Sequence, residues 1–352
     1  MTRPTPPILD GHNDLILRLM RGHVSAAQVA AGGAGGHIDL PRARAGGWAG
    51  GMFAIFVPDP GPRAAVPVGD MSAASYDVPL PPMLPQDKAR QATWEGVAAF
   101  EALAAAGVLV PCTTAAALEA ALDGPALAAV LHLEGAEAIG PDLAELEALH
   151  ARGLRSLGPV WSRPTIFGHG VPFRFPASPD TGPGLTEAGQ RLVRACNQLG
   201  ILIDLSHLNE AGFDDVARLS EAPLVATHSN AWAVTPHSRN LTDRQLRRIA
   251  ESDGMVGINF ATGFLRLDGR MDPDTRLDSL LRHLDHMLNL LGEDRVGFGS
   301  DFDGAVVPHA IGDCAGLPAL RAALRSHGVD AALMEKLCYR NWLRVLRQTW
   351  GG

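Results

Sequence analysis

Lysine is nearly missing from this chain: of its 30 basic residues only Lys88 and Lys336 are lysines, and the net charge is −8. A net acidic chain without a basic stripe excludes a broad nucleic-acid surface. Cysteine is scarce as well. Cys112, Cys196, Cys314 and Cys338 lie far apart with no C-x-x-C pair, which excludes a cysteine zinc knuckle and argues against a disulfide framework. No apolar run reaches the roughly 20 residues of a membrane span. Neither G-x-G-x-x-G nor G-x-x-x-x-G-K-[ST] occurs, so nothing supports a nucleotide fold. The proline-rich start, Met1 to Asp10, has no signal-peptide core, and the Arg347 to Gly352 end has no hydrophobic tail. The expectation is a soluble cytoplasmic protein with no nucleic-acid or membrane partner.

What is present is a globular balance, 352 residues with 46% hydrophobic and 19% charged, enough for one large domain. Short apolar runs rich in Val, Ile, Leu and Gly recur at 8–12, 52–57, 128–133, 154–161, 201–205, 224–228, 255–260 and 295–300. They lack strict alternation, the mark of strands buried on both faces. Helical patterns stand between many of them, clearest at 87–106, 186–199, 209–219, 242–252, 276–291 and 331–346. Thr186, Asn209 and Thr242 are N-cap residues. A ninth short run, 108–110, reads as peripheral. The pattern predicts an α/β fold, a (β/α)8 TIM barrel occupying 1–352 as a single domain. Two connections are too long for compact turns. Segment 58–86 carries eight prolines, and 162–185 is rich in Pro and Gly. Both follow strands, so they are expected on the catalytic face as pocket walls or a lid.

The chemistry sits where the strands end. The first ends in Asp10-Gly11-His12-Asn13-Asp14, the third in His132-Leu133-Glu134, the fifth in Asp204-Leu205-Ser206-His207, the sixth in Thr227-His228, and the last in Ser300-Asp301-Phe302-Asp303. Such ends converge at the C-terminal face of a barrel. Residues i and i+2 of a strand share a side, so His12 and Asp14 can grip one cation, while His207 and His228 grip another. Imidazole and carboxylate together suit zinc better than calcium or magnesium. Glu134, between these groups, is the expected bridge. A hydroxide between the metals would be a nucleophile at neutral pH, with Asp301 handling protons beside it. His132 shares Glu134's face as a ligand-orienting residue. Arg239 is read as the clamp on a substrate carboxylate. His283 and His286, i and i+3 beside Arg282 and Asp285, are read as a solvated helix face.

Asp-Gly-His-Asn-Asp-Leu, Leu-Glu-Gly, Ile-Asp-Leu-Ser-His, Thr-His-Ser, Arg-Asn-Leu-Thr-Asp and Gly-Ser-Asp-Phe-Asp-Gly occur in this order, from Asp10 to Gly304. With His37-Ile38-Asp39-Leu40-Pro41-Arg42, they make the chain resemble the membrane (renal) dipeptidase family, peptidase family M19. The resemblance implies a (β/α)8 barrel with two zinc ions per chain, bridged by Glu134 and a hydroxide or water. His12 and Asp14 would hold one zinc with Glu134, and His207 and His228 the other. Arg239 would take the substrate carboxylate and Asp301 the proton. It also implies a small dipeptide substrate, a tolerated C-terminal D-residue and a homodimer. Two positions depart from the mammalian pattern. Trp161 replaces a substrate-side histidine, and Ala261 replaces a tyrosine. The expectation is retained hydrolysis with a changed side-chain preference, Trp161 stacking on the substrate. A related hydrolase of another carboxylate-bearing amide or lactone, or a non-catalytic metal-binding relative, are the competing readings.

Overall fold

The structure is a computed structural model that describes residues 5–58 and 70–351. Eight parallel strands form the central sheet: β1 (Ile8–Asn13), β2 (Trp48–Phe56), β3 (Leu127–Glu134), β4 (Leu154–Gly158), β5 (Leu202–Ile203), β6 (Val225–Ala226), β7 (Met255–Asn259) and β8 (Val296–Gly299). The order β5-β4-β3-β2-β1-β8-β7-β6 is sequential around a ring, and a single bridge, Asp204 to Val225, joins its two ends. This is a nearly closed TIM barrel, as the alternation of apolar runs and helices predicts. The ninth run, at Leu109–Pro111, pairs only with β3, off the ring.

Nearly all strand residues are buried, which explains why their sequences run apolar without alternation. Close approach inside the ring needs glycine. A Cβ on Gly51 would lie 1.9 Å from the Asp10 carbonyl of the neighbouring strand. The predicted caps hold: Thr186, Asn209 and Thr242 each accept a backbone N–H at the head of their helices. The predicted final helix is instead Ala331–Glu335, one π-helical stretch, and Asn341–Trp350.

Three strands are shorter than their apolar runs predict by three residues each. β4 stops at Gly158, and β5 and β6 keep two residues each. Side chains replace the ladder there. Asp204 Oδ1 accepts the backbone N–H of Thr227 at 2.8 Å and that of Ser206 at 3.0 Å. Asp10 Oδ1 does the same between β1 and β8, accepting Ser300 N–H at 2.6 Å.

The described parts of the two long connections meet. Tyr76–Val78 and Phe173–Phe175 form a small antiparallel sheet, and the Tyr76 hydroxyl donates to the Gly269 carbonyl at 2.6 Å. Around this sheet Leu17, Phe56, Met71, Trp161, Phe173 and Phe264 belong to an apolar cluster separate from the barrel core. Residues 59–69 of the predicted 58–86 loop lie outside the described residues. One helix corrects the sequence reading. His283 is fully buried, its Nδ1 accepts the Ala231 N–H at 3.1 Å, and its Nε2 sits 3.2 Å from Thr235 Oγ1. It shares the buried face of Asp278–Leu291 with Leu280, Leu284 and Met287. The polar neighbours Arg282 and Asp285 hid that periodicity. His286 is half-buried and pairs with Asp243.

Candidate metal centre and its cavity

The strand-end residues converge. One Glu134 carboxylate oxygen lies 3.5 Å from His12 Nε2, 3.1 Å from His207 Nε2 and 3.5 Å from His228 Nε2. His12 Nε2 is also 3.5 Å from an Asp14 oxygen. The donor atoms of Glu134, His207 and His228 lie within 4.8 Å of one another, as do those of His12, Asp14 and Asp301. Two of these residues have unusual backbones. His207 and Asp301 have φ of 68° and 59°, the left-handed region that non-glycine residues seldom enter. Strain of this kind collects at functional sites. Gly304 leaves the room between two carboxylates, since a Cβ there would lie 2.1 Å from Asp14 and 2.5 Å from Asp301.

Two of the imidazoles have hydroxyl partners at Nδ1. His207 Nδ1 lies 2.8 Å from Ser162 Oγ, and His228 Nδ1 lies 2.8 Å from Thr227 Oγ1. The Thr227 hydroxyl is already donating to Asp204 at 2.6 Å, so it accepts from His228. With its Nδ1 protonated, His228 presents a lone pair at Nε2. The Nε2 atoms of His207 and His228 are 3.1 Å apart. Ring nitrogens this close, with Glu134 beside them, can share one cation. Both nitrogens of His12 are buried without a hydrogen-bond partner, another mark of a site shaped for a metal. His132 lies behind, with Nδ1 2.8 Å from Ser156 Oγ and its ring edge-on to His12.

The charges fit the same occupant. Burial, with the charges of Arg239 and His12, holds His207 and His228 well below the ordinary histidine range, so they are neutral as ligands must be. Burial opposes charge on His12, but the Glu134, Asp14 and Asp301 carboxylates outweigh it and raise its pKa to about 10. Burial pushes Glu134 well above the carboxylate range despite His12. Burial also raises Asp301, whose Oδ2 accepts a hydrogen bond from Asn259 Nδ2 at 2.9 Å.

Beside the centre opens a cavity of about 290 Å³. Phe56, Trp161, Phe173 and Phe264 line one part of it, and Asp14, Asp301 and Asp303 another. The Trp161 ring stands 4.8 Å from Phe56 and 5.7 Å from Phe173 between centroids, with the Arg163 guanidinium 5.4 Å over it. Arg239 is buried, donates to the His228 carbonyl at 3.1 Å, and keeps its Nε without a partner. Burial lowers it to about 10, still cationic. Sequence reasoning gave no role to His37 and none to Asp303, which the structure binds to each other. The Asp303 N–H donates to His37 Nδ1 at 2.8 Å, and the His37 N–H donates to Asp303 Oδ1 at 2.6 Å. The signal was present in the Asp301-Phe302-Asp303 pair, but only the fold brings residue 37 to it.

Asp10 underpins the centre. Buried, it accepts from the Ser300 N–H, from the Ser300 hydroxyl and from Trp48 Nε1 at 3.2 Å. Asp10→Ala strands these donors, so we expect about 3 kcal/mol lost in chemical denaturation of the metal-free protein.

Comparison with known proteins gives a consistent outcome. The family model for membrane dipeptidase, peptidase family M19, matches residues 4–350. A metallo peptidase from Rhodobacter sphaeroides, liganded with a phosphinate mimic of the dipeptide L-Ala-D-Ala, is 56% identical with a TM-score of 0.95, covering 98% of this chain and 100% of its own. The M19 dipeptidase AC is 55% identical with a TM-score of 0.95, covering 99% and 100%. An uncharacterised Klebsiella pneumoniae protein, in the pqqA 5′ region, is 49% identical over 73% of this chain and 96% of its own length. Among the described residues no helix is long and apolar enough to cross a membrane.

Proposed function

The chain belongs to the membrane dipeptidase family, peptidase family M19, as a metallo-dipeptidase, and on that premise we propose that it uses two zinc ions to hydrolyse dipeptides, including those ending in a D-residue. The observation that carries this reading is one Glu134 oxygen faced by three imidazole Nε2 atoms. In this reading His12 and Asp14 would hold one ion and His207 and His228 the other, with Glu134 as a ligand available to each. When bound, the metal supplies Lewis acidity toward the peptide carbonyl and lowers the pKa of the attacking water.

The rest is done by the chain. Arg239, buried and cationic with an unpartnered Nε, fixes the substrate's C-terminal carboxylate and so sets the carbonyl over the centre. Asp301, held through Asn259, takes the water's proton and gives it to the leaving amine. Its raised pKa suits both tasks. Trp161 and its aromatic neighbours receive the substrate side chain and exclude water. The L-Ala-D-Ala mimic held by the Rhodobacter sphaeroides relative supports the D-residue. The whole chain acts as one catalytic domain, a homodimer in this reading. All four cysteines are buried free thiols, which suits a reducing cytoplasm.

The test is metal content with turnover of an L,L and L,D dipeptide panel by zinc-loaded and chelated protein. We expect about two zinc ions per chain, activity lost on chelation, and turnover of both series. Two bound metals without dipeptide turnover would overturn the reading and favour another carboxylate-bearing amide or a lactone.

A further inference from the structure

On the acidic side of the cavity one buried carboxylate oxygen has no hydrogen-bond partner. Asp14 faces His12, and Asp301 accepts from Asn259. Asp303 also lines the cavity, with its side chain only 1% exposed. Its Oδ1 is taken by the His37 N–H, while its Oδ2 has no hydrogen-bond partner. The nearest guanidinium, Arg18, is 3.7 Å from Oδ1 and donates instead to the carbonyls of Ala34 and Gly35.

A buried anionic oxygen without a donor costs stability in the empty protein. Such a cost persists where a ligand removes it. The His37 clamp and the left-handed backbone at Asp303, φ 68°, hold the carboxylate in place, so its position does not depend on a ligand. Resting on the dipeptidase reading, we propose that Asp303 Oδ2 accepts a primary ammonium group of the substrate. The site would then require a free amine at one end and, through Arg239, a free carboxylate at the other. A charge requirement at both ends would reject acylated analogues. Burial pushes Asp303 up to about 6, against the lowering effect of the His37 N–H. An ammonium partner would offset that burial.

The ammonium can be the α-amine or a basic side chain, and kinetics separate them. Wild type and Asp303→Asn are compared on L-Ala-D-Ala, N-acetyl-L-Ala-D-Ala and L-Lys-D-Ala. Asparagine keeps an oxygen for the His37 N–H and removes the charge. For the α-amine, the variant raises KM for both free-amine substrates about tenfold or more, with kcat changed less than about threefold and the N-acetyl KM unmoved. A rise confined to L-Lys-D-Ala assigns the side-chain amine. An equal loss on all three substrates, or no change in KM, overturns the proposal. Zinc content and the unfolding midpoint check that the variant is folded. Should it not fold, wild type decides. A tenfold higher KM for the N-acetyl substrate supports the proposal, and equal KM values overturn it while leaving the dipeptidase reading intact. Wild type that hydrolyses none of the three overturns both.

Discussion

Glu134→Gln lowers kcat/KM for dipeptides by about a thousandfold, roughly 4 kcal/mol of transition-state stabilisation, and the purified variant binds fewer than two zinc ions per chain. The shape changes little, since glutamine is isosteric. The charge does not survive. Two cations side by side need an anionic ligand between them, and Glu134 is the carboxylate that faces His12, His207 and His228 together. A neutral amide offers one acceptor oxygen and a donor group that points protons at imidazole lone pairs. Metal analysis alongside steady-state kinetics reads both consequences. Full two-metal occupancy with normal turnover would remove Glu134 from the bridging role.

Arg239→Ala acts differently, chiefly on KM. The guanidinium is buried and donates to the His228 carbonyl at 3.1 Å and to the Ser229 hydroxyl at 3.5 Å, while its Nε has no hydrogen-bond partner. Its loss leaves a substrate carboxylate desolvated and unpaired, about 3 kcal/mol or a hundredfold in kcat/KM. The C-terminal amide of the same dipeptide serves as the control. It is a poor substrate for wild type, and the substitution should leave it nearly unchanged. Equal losses for acid and amide would mean that Arg239 supports the His228 strand end and does not bind the carboxylate. Metal content separates these cases too, because a displaced His228 loses zinc.

Much of this geometry was legible because strand ends are local in sequence while their convergence is a property of the barrel. Once apolar runs and caps predict a barrel, His12, Asp14, Glu134, His207, His228 and Asp301 fall on one rim with no pairing to guess. What was hidden depends on contacts between distant segments. The brevity of β5 and β6 comes from Asp204 taking the Thr227 N–H, a substitution of side chain for ladder that no run of apolar residues signals. The left-handed backbones at His207 and Asp301 carry no glycine to announce them. His283 looked solvated because Arg282 and Asp285 flank it, yet its 3.6-residue period places it among Leu280, Leu284 and Met287. The sheet joining Tyr76–Val78 to Phe173–Phe175 links segments about a hundred residues apart, beyond any local pattern.

The apolar cluster over the cavity is separate from the barrel core, and that separation sets how freely a lineage can change. Under the metal centre one side chain often serves two ends. Asp204 both closes the ring and braces Thr227, whose hydroxyl faces His228. Drift at such positions is penalised twice, in folding and in catalysis. Leu17, Phe56, Trp161, Phe173 and Phe264 pack with one another over the cavity, and exchanging them leaves the barrel's interior intact. The chain thus has an entrenched floor and a permissive roof. A tryptophan at position 161 and an alanine at position 261, both in the roof, are where descendants of one ancestral hydrolase can diverge in what they accept while the chemistry beneath stays the same.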